Sequence, residues 1–125
     1  MREIKFRAKE LNTGKWVIGD LHILCTRPHI HNFLYSPGKK YIDMSTIGQF
    51  TGLHDKNGKE IYEGDIVKYL SYAREDVGYI GFHTLSASFR LITKHTDYGI
   101  GNRGGLHGSP LVVIGNIHDN PELLK

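Results

Sequence analysis

The stretch Gln49–Val67, QFTGLHDKNGKEIYEGDIV, alternates turn signals with apolar residues without a break, and its reading decides the fold class. Asn57-Gly58 is the dipeptide of a two-residue type I′ hairpin, because both central positions of that turn need positive φ and these residues adopt it at least cost. Leu53 precedes it and Ile61 follows, while Asp55, Lys56, Lys59 and Glu60 place charge around the tip. Glu63-Gly64-Asp65 predicts a second turn, with the glycine left-handed and the Asp65 carboxylate bonding nearby main-chain amides. A strand restarts at Ile66-Val67-Lys68-Tyr69. Two reversals this close together fold the chain back twice, as at the corner of a small β-barrel or sandwich.

Working outward, Ile4, Phe6 and Ala8 alternate with Glu3, Lys5, Arg7 and Lys9, the period of a half-buried strand. That period places Lys5, Arg7 and Lys9 on one solvent face, where they would blunt an edge strand; the other reading is a polyanion contact. Asn12-Thr13-Gly14-Lys15 predicts a turn into a long second strand, Trp16–Cys25, bent at Gly19-Asp20. Residues 26–40 read as an irregular excursion with a short ribbon at Phe33-Leu34-Tyr35, because two prolines and a glycine interrupt the pattern. Asp43-Met44-Ser45-Thr46 predicts a helical turn capped by Asp43.

Beyond the corner, strands are predicted at Ile66–Tyr72, Gly78–His83 and Ala87–Thr93, with turns at Ala73–Asp76 and Thr84-Leu85-Ser86. Residues 96–110 hold five glycines and read as flexible. Leu111–Ile117 has the unbroken apolar run of a strand buried on both sides. Asn120-Pro121 predicts a last helical turn with Asn120 as cap and proline first. Ile47-Gly48-Gln49-Phe50 resembles Ile114-Gly115-Asn116-Ile117, which raises the idea of two strands crossing closely at their glycines. The whole is an all-β small pseudo-barrel or sandwich of about eight strands, with SH3-like local features and one or two short helical turns.

The totals fit one domain over residues 1–125, long enough to bury roughly two-thirds of its unfolded surface. With 39% hydrophobic residues and 15 glycines, the composition is that of a globular, turn-rich chain. A single cysteine excludes an internal disulfide framework, and Met1-Arg2-Glu3-Ile4-Lys5 is not the start of a signal peptide, so a reducing cytoplasm is expected. No apolar run approaches the roughly 18 residues of a membrane span. Lys and Arg exceed Asp and Glu by three, with the cations dispersed, which leaves nucleic acid open as a ligand without favouring it.

Arg2–Ala8, Trp16–Leu21, the sixteen residues Gly52–Val67 and the ending Val113–Leu123, in that order and spacing, resemble the YopX family of small phage and prophage proteins. The resemblance covers both ends and the middle; residues 26–40 and 96–110 carry little of it. It implies an all-β pseudo-barrel with a complex strand order, encoded by phages or integrated elements. It implies no reaction, so no catalytic residue is carried over. This chain has Phe82-His83 where relatives tend to have Trp-Asp, which removes any role built on that acid.

Several constellations invite chemistry. His22, Cys25, His29 and His31 have the types and proximity of zinc ligands, although as polar residues of a loop they need no metal. Gly99-Ile100-Gly101-Asn102-Arg103-Gly104 has a dinucleotide-fingerprint spacing, but the following Gly105–Pro110 cannot open the helix that would face a phosphate. Lys94, His95, Arg103 and His107 are the candidate ligand-loop residues, able to face an anion from glycine-rich backbone. Cys25 reads as a small buried or half-buried thiol rather than a nucleophile. Seven tyrosines and five phenylalanines could stack bases, or simply pack the sheets.

No acid, base and nucleophile converge in the sequence, so no catalytic, cofactor or metal residue is assigned. The expected function is a non-enzymatic phage or prophage accessory protein that binds a protein or assembles with itself. The alternatives are a nucleic-acid-binding small barrel, to be recognised by salt-sensitive binding, and a metal-dependent small hydrolase, which would need a pocket holding histidines with a carboxylate.

Overall fold

A computed structural model describes residues 3–26, 29–35, 38–70, 75–94, 97–100 and 111–125. Eleven strands are found among them: β1 Phe6–Lys9, β2 Trp16–Thr26, β3 His29–Tyr35, β4 Lys39–Tyr41, β5 Gly48–His54, β6 Glu60–Tyr62, β7 Asp65–Leu70, β8 Glu75–His83, β9 Ser88–Thr93, β10 Asp97–Gly99 and β11 Leu111–Asn116. Eight have four residues or more, and β4, β6 and β10 have three each. The only helical elements among the described residues are 3-10 turns at Met44–Thr46 and Pro121–Leu124. Among the described residues the strands pair antiparallel and no strand order closes into a barrel. The chain forms two compact units, Met1–Phe50 and Thr51–Lys125.

In the first unit the strands run β4-β3-β2-β1, followed by the start of β5. The bend expected at Gly19-Asp20 is where β2 changes partner: Trp16–Gly19 pair with β1, and Asp20–Thr26 pair with β3. Residues 29–35 are thus a regular strand and 39–41 another, so most of the expected excursion is sheet. The prolines that suggested irregularity lie at 28 and 37, outside the described residues. Alternation sends Ala8, Leu34 and Ile42 into the core with Phe6, Val17, Leu21 and Ile47 packed against them. Asp43 caps the 3-10 turn as expected, its Oδ1 accepting from Ser45 N–H at 3.0 Å. Thr46 is buried there and ties the turn to β1, accepting from Lys9 N–H at 2.8 Å and donating to the Asp43 carbonyl at 2.7 Å.

The second unit holds the rest of β5 with β6 beside it, and a sheet in the order β10-β9-β8-β7-β11. Its core is Ile61, Val67, Ile80, Leu91, Ile100 and Leu111. Within β9, Leu91 is fully buried and Phe89 packs against the core. Glu75 and Asp76, expected in a turn, begin β8, while residues 71–74 lie outside the described residues. β11 is an edge strand with Ile114 partly exposed, not a strand buried on both sides. Residues 97–99, expected to be flexible, form β10 on β9, held by the Arg90–Asp97 ion pair at 3.2 Å. Pro121 opens the final turn as expected, but the Asn120 side chain accepts from Asn116 N–H at 3.3 Å rather than capping. Of the two Gly-amide words, Gly48 lies opposite Arg7 in β1 and Gly115 opposite Ile66 at a bulge in β11.

Candidate functional site

The corner is the most tightly determined part of the second unit. The first turn is not type I′, because Gly58 alone takes positive φ, at +85°, and Asn57 does not. Asp55 N–H bonds the Lys59 carbonyl at 2.7 Å and Gly58 N–H bonds the Asp55 carbonyl at 3.0 Å, which makes a three-residue loop: a turn closed by a left-handed glycine. Asp55 decides this. Its carboxylate is buried and accepts from Asn57 N–H at 2.8 Å, Lys59 N–H at 2.9 Å and, far along the chain, Val113 N–H at 3.0 Å. Beside it, Lys56 N–H bonds the Leu111 carbonyl at 2.9 Å. The hairpin tip therefore clamps the open edge of β11, and it does so just before the bulge between Val113 and Gly115.

Burial pushes the Asp55 carboxyl up, but the hydrogen bonds from Val113, Lys59 and Asn57 and the charge of Lys59 outweigh it and hold the group below its ordinary 3.8. The sequence reading placed Asp55 among charged residues at the tip. The signal that could have found it is the Asx pattern, an aspartate two and four residues before amides that must turn.

The second turn forms as read from the sequence. Gly64 has φ +92°, its N–H bonds the Ile80 carbonyl at 2.8 Å, and its carbonyl accepts from Ile117 N–H at 2.9 Å. Asp65 is 1% exposed and accepts from Tyr62 N–H at 2.7 Å. Both deeply buried carboxylates of the described residues are thus engaged with main chain.

Of the four ligand-loop candidates, Lys94 alone lies among the described residues. Lys94 is exposed after β9, beside a cleft of about 230 Å³ between the β8–β9 sheet face and the last 3-10 turn, lined by Asp76, Val77, Thr93, Leu124 and Lys125. That is smaller than the roughly 300 Å³ at which ligand pockets begin. His95, Arg103 and His107 lie outside the described residues, as does the fingerprint spacing beyond Ile100.

Of the histidine-cysteine set, His22 pairs with Phe33, His31 with Leu24, His29 with Thr26, and Cys25 with Ile30. Cys25 is therefore one register position out of step with the three histidines. Among the described residues no three His, Cys, Asp or Glu are grouped to hold a metal.

One polar cluster was missed. At the β8–β9 hairpin tip His83 Nδ1 lies 2.8 Å from Ser86 Oγ and accepts from Ser86 N–H at 3.1 Å, and Ser86 Oγ is 2.8 Å from Ser88 Oγ. Histidine beside serine suggests a nucleophile and base. Here all the hydrogen bonds are local and exposed, and the ring nitrogen facing the hydroxyl also takes the turn's own amide, so the cluster serves as a turn brace. It flanks Ala87, the one non-glycine among the described residues with positive φ, at +50°.

The basic stripe of β1 differs from expectation. β1 is flanked by β2 and β5, so it is not an edge. Lys5 Nζ stands 4.9 Å from the Phe50 ring centroid, Arg7 4.8 Å and Lys9 5.6 Å from that of Trp16. Register puts Trp16 opposite Lys9 and Ile18 opposite Arg7, on the sheet face away from Ala8 and Leu34. The same alternation places Lys39 and Tyr41 of β4 on that face, because their neighbour Lys40 pairs with buried Leu34. Cations and aromatics thus share one face of the first unit.

No helix among the described residues is long and apolar enough to cross a membrane. No curated protein matches the chain in sequence. Among solved structures it is similar to protein EF1440 from Enterococcus faecalis, at 29% identity over 100% of both chains with a TM-score of 0.52. The fold built around the 53–67 corner and the match of the YopX protein family over residues 5–125 agree, and the chain belongs to that family.

Proposed function

We propose that this is a non-enzymatic accessory protein of phages or prophages, acting in the cytoplasm by binding a protein partner or a second copy of itself. The observation that carries the reading is the use made of Asp55 and Asp65: each of these buried carboxylates is engaged by main-chain amides. The β8–β9 tip offers a contact instead. Leu85 is 93% exposed and Phe82 46%, on a turn braced by His83 and Ser86. Large apolar side chains held out on a rigid reversal suit insertion into a partner's groove.

Light scattering over a wide concentration range tests self-association, and crosslinking in the native host under phage induction tests a partner. The F82S/L85S double variant is expected to abolish whichever association is seen. An association indifferent to both substitutions, or none, refutes the reading.

A further inference from the structure

We infer that copies of this chain assemble head to tail: the β8–β9 tip of one molecule docks Leu85 into the cleft beside the last 3-10 turn of the next. The inference rests on the reading above that this tip is an association surface. Leu85 is almost fully exposed and Phe82 half exposed on a turn held by His83 and Ser86, so the apolar groups are presented with little further ordering to do. The cleft lies at the other end of the same hairpin. It consists of adjoining hollows of about 230 and 150 Å³, floored by Val77 and Tyr79 of β8 and Ile92 of β9 and walled by Leu123 and Leu124. Tyr79 pairs with Ile92, and the next pair along, Ile80 with Leu91, is buried in the core, so alternation puts the cleft on the opposite face.

Size, charge and position select a second copy as the occupant. Each hollow is below the roughly 300 Å³ at which sites for whole small molecules begin, which leaves room for one or two inserted side chains. The tip residues 82–87 carry no carboxylate or ammonium, so they enter between Asp76, Lys94 and Lys125 without setting like charges together. Their hydroxyls and turn carbonyls offer acceptors to the two ammonium groups. Tip and cleft cannot meet within one molecule, because Val77 and His83 are held about 20 Å apart along a single strand at roughly 3.3 Å per residue. A contact between two different patches is heterologous: it leaves a free tip at one end and a free cleft at the other, and growth continues until a ring closes or a filament forms. Anchored by so few side chains, each contact is weak and transient.

The test is sedimentation equilibrium of this chain over about 0.02–1 mM, the range in which weak contacts populate. The wild type is expected to gain mass with concentration and to pass beyond the dimer. F82S/L85S removes the knob and L124D the hole, and each alone is expected to weaken association by about tenfold or more. An equimolar mixture of the two pairs the intact tip of L124D with the intact cleft of F82S/L85S, so the mass returns to that of a dimer and stops there. Far-UV circular dichroism verifies that the variants fold; should L124D loosen the terminal turn, V77E replaces it.

A wild type that stays monomeric to about 1 mM or stops at the dimer, a cleft variant that associates as the wild type does, or a mixture that stays monomeric overturns the inference. A monomeric wild type that captures another protein, with capture lost in F82S/L85S and kept in L124D, refutes head-to-tail assembly alone. Association indifferent to F82S/L85S refutes the reading of the tip as well.

Discussion

Replacing Asp55 should unfasten the corner from the last strand. In D55A three amides lose their acceptor: Asn57 and Lys59 in an exposed loop, and Val113 in the half-buried edge of β11. A buried donor left without a partner costs about 1–3 kcal/mol, and one that water can reach costs less. Taking about 2 kcal/mol for Val113 and about 0.5 for each loop amide gives a loss of about 3 kcal/mol. D55N keeps an oxygen for the loop but turns an NH₂ toward Val113 N–H, donor against donor, and loses about 2 kcal/mol.

With a urea m-value of about 1.5 kcal/mol/M, the D55A midpoint falls by about 2 M. Urea denaturation followed by circular dichroism reads this, and amide exchange of peptides spanning 55–59 and 111–114 locates it. A midpoint within about 0.3 M of wild type, or lost protection confined to the loop, would refute the reasoning, because the energy is assigned chiefly to the long-range bond.

Four further expectations follow from single geometries. A87G relieves a left-handed alanine and raises stability by about 0.5 kcal/mol, whereas A87V lowers it by more than about 1; thermal melts decide. G64A forces a side chain to φ +92° and costs about 1–2 kcal/mol in the same assay. In G78A the new Cβ would collide with the Ile92 main-chain carbonyl, so the protein fails to accumulate as a folded species on gel filtration. T46V strands Lys9 N–H and costs about 1–3 kcal/mol, and T46S restores most of it.

What could be read from sequence was what local chemistry fixes. Gly64-Asp65 reads as a left-handed turn because only glycine is comfortable there, and Asp43 reads as a cap because its side chain reaches its own next amides. The partner exchange of β2 showed as a glycine inside a strand. Pairings between distant segments left no such mark. The β3 strand was hidden because its side-chain pattern is interrupted by polar residues, and its pairing with β2 rather than local propensity makes it a strand.

β1 looked like an edge because cations outside usually mean one, yet here they lie over Trp16 and Phe50, whose position depends on the sheet order. Asp55 looked like surface charge because its decisive partner is 58 residues away.

The central structural claim is that carboxylate charge holds the corner together and is therefore unavailable for chemistry. Stability from a depressed carboxyl is present above the unfolded value near 3.8 and lost as pH falls through the folded one. The direct measurement is an NMR titration of the Asp55 side-chain carboxyl carbon alongside the amide protons of Asn57, Lys59 and Val113. The account expects all four signals to move together, with a midpoint below 3.8. A carboxyl titrating at or above that value, with the three amides unmoved, would contradict it.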